Sequence, residues 1–107
     1  MVIYTSTYMD ANDELGLNDL AGIEGFDWDS GNLEHIKKHN VEYTECEEIF
    51  SNVPIVNKDK EHSQVEIRYH ALGQANSGRL LFISFTIREN KIRVISVRDQ
   101  NKKERAK

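Results

Sequence analysis

A chain of 107 residues that is 38% apolar and 30% charged has the make-up of one small soluble domain, able to bury a modest core but with no room for a separate cofactor domain. No apolar run approaches the roughly 18–20 residues that span a bilayer, and the opening MVIYTSTYMDANDE lacks the basic start and apolar block of a secretion signal. The net charge of −4 argues against a nucleic-acid partner only until it is divided along the chain, because residues 79–107 hold three acids against nine bases, a local +6 of the kind that attracts phosphate.

Residues 1–25 carry five acids, no base and no sustained apolar period, and read as an acidic, flexible N-terminal extension ahead of a folded unit over residues 26–107. From Phe26 the signals sharpen. Asp29 is a suitable N-cap for a helix running to about His39, Asn40 suits the left-handed position beyond it, and Val41 can then touch Ile36 in a Schellman ending. Thr44-Glu45-Cys46-Glu47 reads as a capping box that opens a second helix, with Cys46, Ile49 and Phe50 as its apolar stripe. Pro54 closes that helix, and residues 54–56 read as a short edge strand. A charged loop over residues 58–62 follows. Val65, Ile67, Tyr69 and Ala71 then alternate with Glu66, Arg68, His70 and Leu72, the pattern of a strand with one polar face.

After a turn at residues 74–78, two runs rich in β-branched and aromatic residues, 80–87 and 92–97, flank Arg88-Glu89-Asn90-Lys91 and predict a β-hairpin. Its pairing sets Ile87 against Ile92, Phe85 against Val94 and Ile83 against Ser96 on the core face. Phe82, Ser84, Thr86, Arg93, Ile95 and Val97 fall on a mixed second face. Asn101, followed three residues later by Glu104, starts a short basic helix. The expected architecture is α+β: two N-terminal helices packed on a three- to four-stranded, mostly antiparallel sheet, with a short C-terminal helix.

The single cysteine, Cys46, excludes an internal disulfide and a multi-Cys zinc site. His35 and His39 share a helix face four residues apart, but the sequence is not H-E-x-x-H and no third ligand stands at a recognisable spacing. No G-x-S-x-G, P-loop or G-x-G-x-x-G is present, so neither a metal nor a cofactor is expected. Chemistry must then come from Lys37, Lys38, His39, Arg68, His70, Arg79, Arg93, Arg98 and the terminal basic cluster Lys102, Lys103 and Arg105.

Trp28-Asp29-Ser30-Gly31-Asn32-Leu33-Glu34-His35-Ile36, then Lys38-His39-Asn40-Val41, Gly78-Arg79-Leu80-Leu81, Arg93-Val94-Ile95-Ser96-Val97-Arg98-Asp99 and Lys103-Glu104-Arg105, resembles the BrnT family of ribonuclease toxins. The resemblance implies a RelE-like fold, metal-independent cleavage of RNA by a cytoplasmic protein, and neutralisation by a cognate DNA-binding antitoxin, BrnA-like, in a hetero-oligomer. Cutting RNA without a metal needs a base near the 2′-hydroxyl, cations around the phosphate and an acid for the leaving 5′-oxygen. On that footing Arg68, Arg79 and Arg98 are expected as phosphate-binding and transition-state cations, since arginine offers a fixed fork of donors. His39 is the expected proton-transfer group, as the side chain type whose unperturbed pKa lies nearest neutrality. Lys38, Arg93, Lys102, Lys103 and Arg105 are expected to bind substrate. For Arg68 and Arg98 the alternative is a structural ion pair with Glu66, Asp99 or Glu104, and for the chain as a whole a second reading is a non-catalytic module that keeps only the partner-binding surface.

Overall fold

The structure, a computed structural model, describes residues 22–106 together with the backbone of Tyr4–Thr5; the expected N-terminal extension lies largely outside the described residues. The elements are β1 (Tyr4–Thr5), β2 (Gly25–Phe26), α1 (Ser30–Lys37), α2 (Tyr43–Ser51), β3 (Ile55–Asp59), β4 (Arg68–Gln74), β5 (Leu80–Arg88), β6 (Lys91–Asp99) and α3 (Lys102–Arg105). The six strands form one sheet in the order β1-β3-β4-β5-β6-β2. Its central four strands are antiparallel, whereas β1 and β2 add parallel two-residue pairings on β3 and β6. The sheet is therefore wider than the three or four strands expected. Two-residue edges are too short to show any alternation, which is why no period marked them.

The β5–β6 hairpin turns on Glu89 and Asn90 at φ 50° and 64°, the left-handed pair that a two-residue hairpin loop needs. Ile87 pairs with Ile92 and Phe85 with Val94 as expected, but a bulge next to Ser84 shifts the rest of the ladder. Ile95 is the extra residue there, so Ser84 faces Ser96 and Ile83 faces Val97 rather than Ser96. Val97 is consequently buried in the core instead of lying on the second face. One inserted residue exchanges the two faces of everything beyond it.

Helix α1 is capped by Asp29, whose carboxylate accepts the Asn32 N–H at 3.1 Å while the Asn32 side chain accepts from the Asp29 N–H. Asn40 takes φ 56°, and the Asn40 and Val41 N–H groups donate to Lys37 and Ile36 carbonyls, which is the Schellman ending. That leaves Glu42 extended and able to cap α2 at once: Glu45 Oε1 accepts the Glu42 N–H at 3.0 Å. The second helix thus begins two residues before the Thr44 capping box expected for it. α3 starts as expected, with Asn101 and Glu104 capping reciprocally.

Both long helices cover one face of the sheet. Ile36, Val41, Cys46, Ile49 and Phe50 pack on Val56, Tyr69, Ala71, Leu81, Ile83, Phe85, Val94 and Val97. At roughly 1.5–3 kcal/mol per fully buried large apolar side chain, this single interface supplies most of what opposes chain entropy. α2 crosses β4 closest at Gly73, where an added Cβ would stand 2.6 Å from Ile49 Cγ2. On the outer edge of β6, beyond the reach of β2, the Asn32 side chain donates to the Val94 carbonyl at 3.3 Å. The opposite face of the sheet carries no described helix except α3 at one end.

Candidate functional site

On that open face the register lines up three rows of side chains: Ile55, Leu72, Phe82 and Arg98; Asn57, His70, Ser84 and Ser96; then Asp59, Arg68, Thr86 and Arg93. The hub of the polar contacts on this face is Asp59, the last residue of β3, which is only 7% exposed. Its Oδ2 meets His70 Nε2 at 2.9 Å and His62 Nδ1 at 2.8 Å. Its Oδ1 accepts the Glu61 and His62 N–H groups at 3.1 and 3.3 Å. Burial works to raise the Asp59 carboxyl, but the His62 hydrogen bond, the His70 charge and the backbone donors outweigh it and hold it below the usual range.

Ser63 fixes the loop that carries His62. Its hydroxyl donates to the Asp59 carbonyl and accepts the Arg68 N–H at 2.9 Å. This local bonding keeps the chain off the sheet until Arg68, so Val65 and Ile67 are exposed where the alternation placed them in the strand. Glu61, His62, Gln64, Val65, Glu66 and Arg68 line a concave surface beside Asp59. Both oxygens of Glu66 are occupied by Arg88, at 3.0 and 3.2 Å.

Across the sheet from Asp59, the His70 ring lies 4.7 Å from the Phe82 ring, and the Arg98 guanidinium sits 4.1 Å over the same ring. Arg98 also makes a two-pronged contact with Glu104 at 2.8 and 2.9 Å and donates to the Asp99 carbonyl. A guanidinium has five N–H groups, so Nε–H and one Nη2–H of Arg98 have no acceptor among the described residues. The ion pair foreseen between Arg98 and Glu104 is present and lowers the Glu104 carboxyl.

The other expected groups lie elsewhere. Arg79 is on the helix side of the sheet, where it donates to Asp99 at 2.8 and 3.3 Å, to the Asn40 carbonyl at 2.7 Å and to the His39 carbonyl at 3.1 Å. His39 is exposed at the end of α1, its ring 6.3 Å from His35, and Lys38 is exposed beside it. Arg93 reaches Asp29 at 2.9 Å and Asp27 at 3.6 Å. Lys102 and Lys103 are exposed on α3, and Arg105 donates to the Gln100 carbonyl at 2.8 Å. The sheet therefore separates His39 and Arg79 from Arg68 and Arg98. It also brings acids from all along the chain onto the basic C-terminal block, so the local +6 is largely cancelled. Cys46 is buried, and loss of water pushes its thiol up to about 12, which makes it an inert core residue.

Residues 28–104 match the family described as ribonuclease toxin, BrnT, of type II toxin–antitoxin systems. The chain belongs to the BrnT family. No curated protein matches it. As a BrnT ribonuclease toxin of a type II system, it has an antitoxin as its partner. Among the described residues no helix is long and apolar enough to cross a membrane.

Within this BrnT chain, the groups of the open-face cluster that sequence reasoning did not single out for chemistry are Asp59, His62 and Phe82. His70 was on the polar face of a recognised strand, but Asp59 stood in a stretch read as plain charged loop. The available signal was the Asp59-x-x-His62 spacing, which suits a side chain that caps its own turn.

Proposed function

We propose that this BrnT toxin is a metal-independent endoribonuclease that works on the open face of its sheet, with His70 as the proton-transfer group at the 2′-hydroxyl. Arg98 and Arg68 are its phosphate cations. The observation that carries this reading is the convergence of Asp59, His70, Phe82 and Arg98 on the face that α1 and α2 leave free. Asp59 holds His70 through Nε2 as the carboxylate of a catalytic triad holds its histidine, fixing ring and tautomer. Phe82 supports that ring and the Arg98 guanidinium together, so base and cation keep one geometry. The leftover Nε–H and Nη2–H of Arg98 give phosphate a charge-assisted contact without breaking the Glu104 pair.

His39 and Arg79, on the other side of the sheet, support a structural role for Arg79, whose donors are spent on α1 and Asp99. Lys38, Arg93, Lys102, Lys103 and Arg105 are then peripheral cations, of which Lys102 and Lys103 flank the open face through α3. The partner is a BrnA-like, DNA-binding antitoxin in a cytoplasmic hetero-oligomer, and free toxin inhibits growth by cutting RNA. The second reading, a binding module without catalysis, draws on the carboxylates that hold Arg79, Arg93 and Arg98. Induced expression in a bacterial host, with and without the neighbouring gene, separates the two. Growth arrest relieved by co-expression is the expected result; unimpeded growth with an intact, co-purifying protein would favour the binding module.

A further inference from the structure

The Asp59 carboxylate holds two histidines, and the proposed cleavage uses only one. His70 comes from a strand, is half-buried and is braced by Phe82. His62 comes from the loop, with its side chain 63% exposed and, among the described residues, Nδ1 alone committed, to Asp59 at 2.8 Å. Nε2 of His62 is thereby turned away from Asp59, and the ring lines the same concave surface as Arg68. Breaking RNA through its 2′-oxygen demands two proton transfers at separate atoms, one off the nucleophile and one onto the leaving oxygen. Two imidazoles anchored on one carboxylate oxygen, each with its second nitrogen directed elsewhere, provide both.

We infer that His62 is the general acid of the cleavage, an inference that rests on the open-face nuclease reading. His70 accepts the 2′-hydroxyl proton as the O2′–P bond forms. The P–O5′ bond breaks as His62 gives its proton to O5′. The products are a 2′,3′-cyclic phosphate and a 5′-hydroxyl, and water returns each imidazole to its starting state. The acid falls to His62 because the leaving strand departs toward solvent, where the exposed loop ring can follow it, whereas the braced strand ring suits the base that must wait at a fixed position. Asp59, almost fully buried and held by Glu61 and His62 backbone donors, positions both rings and touches neither reacting oxygen.

The test compares an oligoribonucleotide containing the cleavage site with the same oligonucleotide carrying a bridging 5′-sulfur at the cleaved bond, whose thiolate leaves without a proton. Wild type, His62→Gln and His70→Gln are assayed in EDTA, with folding checked by circular dichroism. His62→Gln is expected to lose about 10²-fold or more on the natural bond and to recover to within a few-fold of wild type on the sulfur-bridged one. His70→Gln is expected to stay impaired on both. Equal losses for His62→Gln on both substrates would overturn the acid role in favour of a merely positional one, and no loss on either would overturn it outright. Wild-type activity that disappears in EDTA would overturn it too, because the cleavage would then depend on a metal ion. A wild-type protein silent on both substrates would sink the nuclease reading itself, a result distinct from an active enzyme indifferent to His62.

Discussion

Replacing Arg79 by alanine is expected to cost stability, and the structure supplies the size. The guanidinium donates to two carbonyls at the end of α1 and to both oxygens of Asp99, with Glu45 3.6 Å away. A hydrogen bond to a charged group is worth about 1.5–3 kcal/mol when buried. Arg79 is 26% exposed and Asp99 66% exposed, so water would replace part of each contact. Taking about 1 kcal/mol for each backbone carbonyl and well under 1 kcal/mol for the exposed carboxylate pair gives a loss of about 2 kcal/mol. For a domain of this size that is a fall in Tm on the order of 10 °C. Thermal and urea unfolding followed at 222 nm measure it, and Arg79→Lys should recover little because an ammonium cannot span the same acceptors. A variant that melts within about 0.5 kcal/mol of wild type yet has lost toxicity would refute the structural role and return Arg79 to the chemistry.

Gly73→Ala drives a methyl into Ile49 at the closest α2–β4 approach, and should destabilise by about 1–3 kcal/mol in the same assay. Stability should also fall in acid, because Asp59 and Glu104 have carboxyls held below their ordinary values of 3.8 and 4.5. The sign follows from linkage: the stability they lend is complete above those values and is lost as pH drops through the lowered ones, so Tm should fall more steeply below about pH 4 in wild type than in Glu104→Gln. Equal slopes would remove the Arg98–Glu104 pair as a source of acid sensitivity. A chain beginning at Gly22 should unfold cooperatively, since the described domain keeps Ile23 and Phe26 against its core; a non-cooperative transition would show that the preceding residues belong to the folding unit.

Much of the fold was legible because its signals are local. Asp29, Asn40 and Asn101 mark helix ends through side chains that satisfy nearby backbone groups, and residues 80–97 alternate around a two-residue turn. What escaped depended on tertiary context. The bulge at Ile95 has no signature in residue types, yet it decides that Val97 is buried. The loop before Arg68 holds apolar Val65 and Ile67 in the right alternation, but its backbone is bonded locally by Asp59 and Ser63 instead of joining the β4 ladder. The site was half legible for the same reason. Arg68, His70 and Arg98 were picked out by type, whereas pairing His70 with Asp59 required the β3–β4 register, and the placement of Arg79 and His39 on the helix side could not be read without knowing which side of the sheet each lies on. Charge counted along the chain misled most, since Asp27, Asp29, Glu45 and Glu66 fold back onto the arginines of the basic block.

Whether RNA is cut on the open face is decided by cleavage with purified toxin freed of its antitoxin. Single-stranded RNA is incubated in EDTA with wild type, His70→Ala and His39→Ala, and the new ends are identified. Wild type is expected to leave 2′,3′-cyclic phosphate ends, His70→Ala to lose about 10²–10³-fold in rate, and His39→Ala to stay within a few-fold of wild type. Wild-type rates from His70→Ala, with His39→Ala silent, would contradict cleavage on the open face and move the chemistry to the helix side of the sheet.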